Sequence, residues 1–218
     1  GLYLAEAIAS VMAQTLKPYE IILIDDGSTD NSASQAALTF PILRYFRQEN
    51  AGTGAARNKG VEVACGNYFA FLDADDLWLE NKLALQVRTF IENPEIEAVF
   101  GHVKQFVSPD LDEETGKRLF CPEKPMPGEL PSVMLIKRDA FSRIGLIDQQ
   151  WRVGEDVSWI LRSREKGLRT VMLPDLIYMR RLHNNNKGIT HRQFIRDRVK
   201  AIKAHLDAKR TTPSKDGQ

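Results

Sequence analysis

Cysteine is almost missing from this chain: two in 218 residues, Cys65 and Cys121, far apart and without the spacing of metal ligands. A disulfide framework and a cysteine-based zinc site are excluded, and a reducing compartment is the simplest setting. An excess of charge of either sign is also missing. Thirty Lys and Arg face 29 Asp and Glu, a net charge of +1, so no bulk electrostatic attraction toward nucleic acid is expected. No apolar run is long enough to span a bilayer, and no signal peptide is visible. A domain cut from a membrane-attached parent would look the same. Internal repeats are absent too. The length and the ordinary share of apolar residues fit one sizeable domain with a real core.

What is present is acid in particular places. The apolar run Ile21, Ile22, Leu23, Ile24 leads into Asp25-Asp26-Gly27-Ser28-Thr29-Asp30. A second run, Tyr68 to Leu72, leads into Asp73-Ala74-Asp75-Asp76. Each run reads as a buried strand of a parallel sheet, and ligands of open α/β sheets bind beyond the carboxyl ends of such strands. Carboxylates gathered there repel and raise one another's pKa. A divalent cation, or donors on a ligand, would relieve that repulsion, which points to a metal-bound nucleoside diphosphate.

Around these runs the apolar periodicity alternates. Leu4, Ile8, Val11 and Met12 stand at helical spacing ahead of Pro18. Helices are expected again around Ala33 to Leu38, after the glycine-bearing loop 50–60, and along Leu79, Leu83, Val87, Phe90 and Ile91. Strands are expected at 43–46 and 98–103. This βαβαβα order predicts an α/β fold with a mixed but mainly parallel sheet and helices on both faces. Segment 108–131, rich in Pro, Gly and charge, reads as a long loop. Beyond it come a strand at 133–136, a helix at 139–144 and another at 155–166. Short strands at 170–173 and 176–179 precede an amphipathic helix at 191–210. That helix carries Arg192, Arg196, Lys200 and Lys203, and its basic face is read as solvated, with a membrane surface as the alternative. A sheet of this kind needs a strand ahead of the first helix, so a first strand is expected to be missing from the sequence.

Each acidic cluster also has a plain explanation. Asp30 suits a turn or helix cap, and so could one of Asp25 and Asp26. Asp73 and Asp75 share one side of an extended chain, so one could hold a ribose or water and the other a cation. Glu155 and Asp156 open a helix, where the dipole favours acids regardless of chemistry. Arg57 could contact a diphosphate or pair with an acid. His183 could ligate metal or be only a polar loop residue, with Asn184 to Asn186 as an exposed turn.

Taken together these segments resemble family 2 glycosyltransferases, which have the GT-A fold. Asp25-Asp26-Gly27-Ser28 is similar to the family's nucleotide-binding strand end. Asn50-Ala51-Gly52 with Ala56-Arg57-Asn58-Lys59-Gly60 is similar to its second signature. Asp73-Ala74-Asp75 resembles the DxD motif, Gly154-Glu155-Asp156 the ED motif, and Arg181-Leu182-His183 with Asn186 the late Arg-x-His segment. The likeness runs in the family's order from about Tyr3 to Thr190. It implies an inverting, hexosyltransferase-like enzyme of class EC 2.4, acting in cell-envelope polysaccharide synthesis. The donor implied is a nucleoside diphosphate sugar, UDP first, GDP or dTDP otherwise. The acceptor would be a saccharide, a lipid-linked group or a protein. By the same resemblance Asp26 would accept the base N–H and Asp73 would lie beside the ribose; Asp25 and Arg57 count with them as donor-binding, Arg57 contacting the diphosphate or ordering the acids. Asp75, with His183, would hold Mn²⁺ or Mg²⁺, and imidazole suits manganese better. Asp156 would be the general base, with Glu155 second. Residues 1–104 would be the nucleotide-sugar half and 105–190 the acceptor half of one Rossmann-like GT-A domain, with 191–218 a C-terminal helix and tail. A cytoplasmic location, at most peripheral to the inner membrane face, follows. The rival functions are a non-catalytic nucleotide or sugar module, a phosphorelay receiver and an aspartate-based phosphatase. The last two lack, respectively, a clear strand-end Lys and a later strand ending in acids.

Overall fold

A computed structural model describes residues 1–149, 154–184, 186 and 203. The first helix, α1 (Leu4–Met12), buries Leu4, Ala7, Ile8 and Val11, the one-sided stripe its spacing predicts. Strand β1 (Ile21–Asp26) pairs in parallel with β2 (Leu43–Gln48), from Ile21 opposite Leu43 to Asp26 opposite Gln48. Between them α2 (Ser32–Thr39) packs Ala33 and Ala36 against Leu4 and Ile8, small residues that let the helix approach closely. Helix α3 (Thr53–Val63) follows, then β3 (Tyr68–Ala70), β4 (Leu77–Trp78) and α4 (Lys82–Glu92).

The second half is built around β5 (Ala98–Val107), whose first residues are fully buried. Segment 108–131, expected to be loop, carries a short helix, α5 (Glu113–Arg118), and a short strand, β6 (Met126–Gly128). Asp112 caps α5 by accepting the Thr115 N–H at 2.8 Å, a signal present in the sequence as an acid three residues before a threonine. Strand β7 (Leu135–Lys137), helices α6 (Arg138–Ile144) and α7 (Glu155–Glu165), and β8 (Thr170–Leu182) complete the described elements. The two short strands expected near 170 and 176 are one strand, broken only by register shifts opposite Phe100 to Val103. Pro174 cannot donate to a ladder, and it lies at that irregularity. Ile91, expected on the buried face of α4, is 73% exposed, because Leu83 and Phe90 already fill the contact with the sheet. The helix expected at 191–210 lies outside the described residues, apart from Lys203.

The larger sheet runs β3-β7-β5-β8-β4, with β6 pairing to β5. It is mixed, though not mainly parallel: β5 and β8 are parallel, while β7 runs antiparallel to both β3 and β5. Chain enters β7 at the sheet's end and not through a crossover helix laid on its face, which is the condition for an antiparallel neighbour. One face is covered by Phe141, Ile144 and Trp159 of α6 and α7, the other by Val11 of α1 and Leu83 and Phe90 of α4. Among the described residues β1 hydrogen-bonds only to β2, and β3 only to β7. The space between β1 and β3 is lined by Ile22, Ile24, Phe69 and Phe71 and belongs to a cavity of about 1280 Å³.

Candidate active site

The cavity continues from that apolar floor to the carboxyl ends of β1 and β3, where the acids converge. Asp26, Arg57, Asp73, Asp75, Glu155, Asp156 and His183 all line it, from five separate parts of the chain. Asp25 does not, because alternation along β1 turns neighbouring side chains to opposite faces.

Asp25 is 3% exposed, and its oxygens accept the Ser28 N–H and the Tyr45 hydroxyl, each at 2.8 Å. Burial works to raise its pKa, but the Ser28, Tyr45 and Arg47 groups together hold it below the ordinary aspartate value. It therefore braces the turn behind Asp26. Gly27 in that turn has φ of +74°, and a Cβ there would lie 2.7 Å from the Asn50 nitrogen. Asp26 itself accepts the Ala51 N–H at 2.9 Å, the Gly52 N–H at 2.8 Å and the Gln48 amide at 2.7 Å. The 50–52 loop is thus wrapped around this carboxylate, and α3 starts directly after it.

Helix α3 delivers Arg57, whose Nη2 donates to Asp73 at 2.7 Å while Nη1 stands 3.8 Å from Glu155. Burial opposes the guanidinium charge, but Asp73, Glu155 and Asp156 raise its pKa beyond the ordinary value. Arg57 does pair with an acid, as one of its two sequence readings had it. Its Nη1 is buried and makes no hydrogen bond, its nearest acid being Glu155. Glu155 and Asp156 start α7 after Gly154, a left-handed residue with φ of +99°. Asp156 accepts the Val157 N–H at 2.8 Å with one oxygen and lines the cavity.

The second acidic cluster faces β8. Asp75 Oδ2 lies 2.9 Å from His183 Nε2 and 3.4 Å from the Asn186 amide. His183 is buried, and Asn186 is 8% exposed with its Oδ1 accepting the His183 N–H at 2.5 Å. The exposed turn expected here holds for Asn184 and fails for Asn186, whose amide closes the segment onto Asp75. The 2.9 Å Asp75–His183 contact is a hydrogen bond or ion pair of ordinary length, and it sets a carboxylate oxygen beside an imidazole nitrogen, donor types that suit a divalent cation such as manganese. No group of three or more His, Cys, Asp or Glu gathers around a metal position among the described residues.

Sequence reasoning gave Asp76 no role. It is 5% exposed, with its pKa raised to about 7 by burial and by the charges of Asp73 and Asp75. The Tyr178 hydroxyl and the Arg181 N–H, both at 2.7 Å, oppose that shift.

Residues 1–145 match the family model described as glycosyl transferase family 2. The chain belongs to that family. An uncharacterised glycosyltransferase of Nostoc sp. is 31% identical over 209 residues, 86% of this chain and 63% of its own length. Among solved structures, S. aureus TarS 1-349 in complex with UDP-GlcNAc matches all of this chain and 64% of its own, with TM-score 0.73 and 15% identity. The mannosyltransferase PcManGT of Pyrobaculum calidifontis, in complex with GDP-Man and Mn²⁺, matches 97% of this chain and 61% of its own, with TM-score 0.66 and 21% identity. The fold of this glycosyltransferase is therefore the GT-A fold. The chain spans less than two thirds of each of these proteins and 16% of a longer Rickettsia felis relative. Among the described residues no helix is long and apolar enough to cross a membrane.

Proposed function

We propose that this glycosyltransferase moves a hexose from a nucleoside diphosphate sugar to an acceptor hydroxyl, with inversion and with help from a divalent cation. UDP is the preferred carrier, with GDP or dTDP as alternatives, and the acceptor is a saccharide, lipid-linked group or protein of the cell envelope. The observation that carries this reading is the Asp75–His183 pair at 2.9 Å, set beside Asp73 in a cavity that also holds Asp156.

Asp26, steadied by the 50–52 loop, accepts the base N–H, with Asp25 bracing the turn behind it. Asp73 lies beside the ribose and is steered by Arg57, whose guanidinium charge would face the diphosphate from beside Asp73. Mn²⁺ or Mg²⁺, held by Asp75 and His183, would stabilise negative charge on the departing diphosphate. Asp156 takes the acceptor's proton as the acceptor oxygen bonds to the anomeric carbon and the bond to the diphosphate oxygen breaks. Glu155, held near Arg57, is the second candidate. Residues 1–104 serve the donor and 105–190 the acceptor, in the cytoplasm, with peripheral attachment to the inner membrane face as the alternative.

Titration calorimetry with UDP tests the donor and cation roles together. UDP is expected to bind only when Mn²⁺ or Mg²⁺ is present, and Asp75→Asn is expected to weaken that binding at least tenfold. Equal UDP affinity in EDTA would overturn the metal-assisted reading.

A further inference from the structure

Asp76 is the one acid of the 73–76 segment with no part in donor or cation binding, yet it is the most buried of the three. Its partner on β8 is the main chain of Arg181, and Arg181 returns the contact: its Nε donates to the Asp75 carbonyl oxygen at 2.9 Å. The two segments are therefore tied twice, once through each residue. The rest of the guanidinium reaches outward. Nη2 pairs with Glu6 of α1 at 2.6 Å, and Nη1 points to the Ser108 hydroxyl at 3.4 Å, just past β5. Two rings lie against it as well, its central carbon standing 4.4 Å from the Tyr3 ring and 4.8 Å from the Phe106 ring. The side chain is 2% exposed. Asn186 completes the frame, donating to the Arg181 carbonyl at 3.2 Å and reaching Asp75 Oδ2 at 3.4 Å.

We propose that Arg181 is a positioning residue that sets Asp75 against His183, so that the two protein ligands of the cation are assembled before it binds. The inference rests on the metal-assisted reading above. Arg181 fixes the main chain of one ligand residue from a point two residues ahead of the other. A planar fork that donates in three directions while lying against two rings does this; a lysine, with one ammonium and no flat face, does not. A bulk structural role would call for the charge and the packing but not for the bond to the carbonyl of Asp75.

The test compares the whole chain with Arg181→Lys and with Phe106→Leu, which removes one of the rings beside the guanidinium; neither changes net charge. Free Mn²⁺ is followed by its paramagnetic resonance signal as protein is titrated in saturating UDP, well below each variant's Tm. Arg181→Lys is expected to raise the Kd for Mn²⁺ at least fivefold and Phe106→Leu about twofold. UDP affinity at saturating Mn²⁺ is expected to stay within a factor of two. A lower Tm with an unchanged Mn²⁺ Kd overturns the inference and leaves Arg181 a packing residue. Should Arg181→Lys fail to fold, the Phe106→Leu titration decides by the same criterion. If the unaltered chain binds no Mn²⁺ with UDP, the metal-assisted reading itself fails, a result distinct from loss of the Arg181 effect alone.

Discussion

Two side chains carry the sharpest consequences at the scale of single residues. Asp156 is the proposed base, and general base catalysis is worth about 10²- to 10⁴-fold in rate. Asp156→Asn is expected to lower kcat by that factor while Mn²⁺-dependent UDP binding is kept; turnover at the parent rate would remove Asp156 from the mechanism. Lys82 is unrelated to the site but unusual. It is fully buried, its Nζ donates to Gln86 at 2.7 Å and stands 4.5 Å over the Trp78 ring, and burial lowers its pKa to about 7. Its folded pKa lies below its unfolded value, so the unfolded chain binds the extra proton between about pH 7 and pH 10.5. Stability contributed at this position is therefore full above pH 10.5. It falls as pH is lowered toward 7, by about 1.4 kcal/mol per unit, and is flat below. Urea unfolding from pH 7 to pH 10 is expected to show this slope in the parent chain relative to Lys82→Met, which lacks the titrating group. Parallel profiles would mean that Lys82 stays charged in its pocket.

At the scale of elements, the turn after β1 and the loop before α3 act as one piece. Gly27 must be left-handed and must leave room for Asn50, while Asp26 gathers the N–H groups of Ala51 and Gly52. Gly27→Ala is expected to cost roughly 1–3 kcal/mol through strain. It should also weaken UDP binding, since the loop must shift away from Asp26; thermal melts and UDP titration read the two effects. The Asp-Asp-Gly-Ser segment was legible in the sequence because strand, turn and acid are local signals. So was the helix start at Gly154 to Asp156. The extent of antiparallel pairing in the mixed sheet was not. Leu135, Ile136 and Lys137 form too short a run to show direction, and their place between β3 and β5 is a long-range choice. Likewise Thr170 to Leu182 reads as two strands around Pro174, while β5 accommodates the break by a register shift.

The described residues form two sheets that flank an apolar gap beside the site. The facing edges of β1 and β3 have no strand partner among the described residues, and unpaired buried backbone is costly. Fusing a five-residue apolar strand ahead of Gly1 is expected to raise Tm and to tighten Mn²⁺-dependent UDP binding at least severalfold, because β1 and β3 would be locked in register. Equal values with and without the strand would show that the gap is filled in another way. By itself the sequence determined the α/β class, the strand-end acids and most of the residues that line the cavity, since apolar runs and turn chemistry act over a few neighbours. Tertiary structure alone decided that Asp25 turns inward as a brace, that Arg57 joins Asp73 to Glu155, and that Asp76 and Arg181 cross-tie the segments that carry Asp75 and His183. Those outcomes depend on which distant segments the core brings into contact, and a spacing along the chain carries no record of a partner about a hundred residues away.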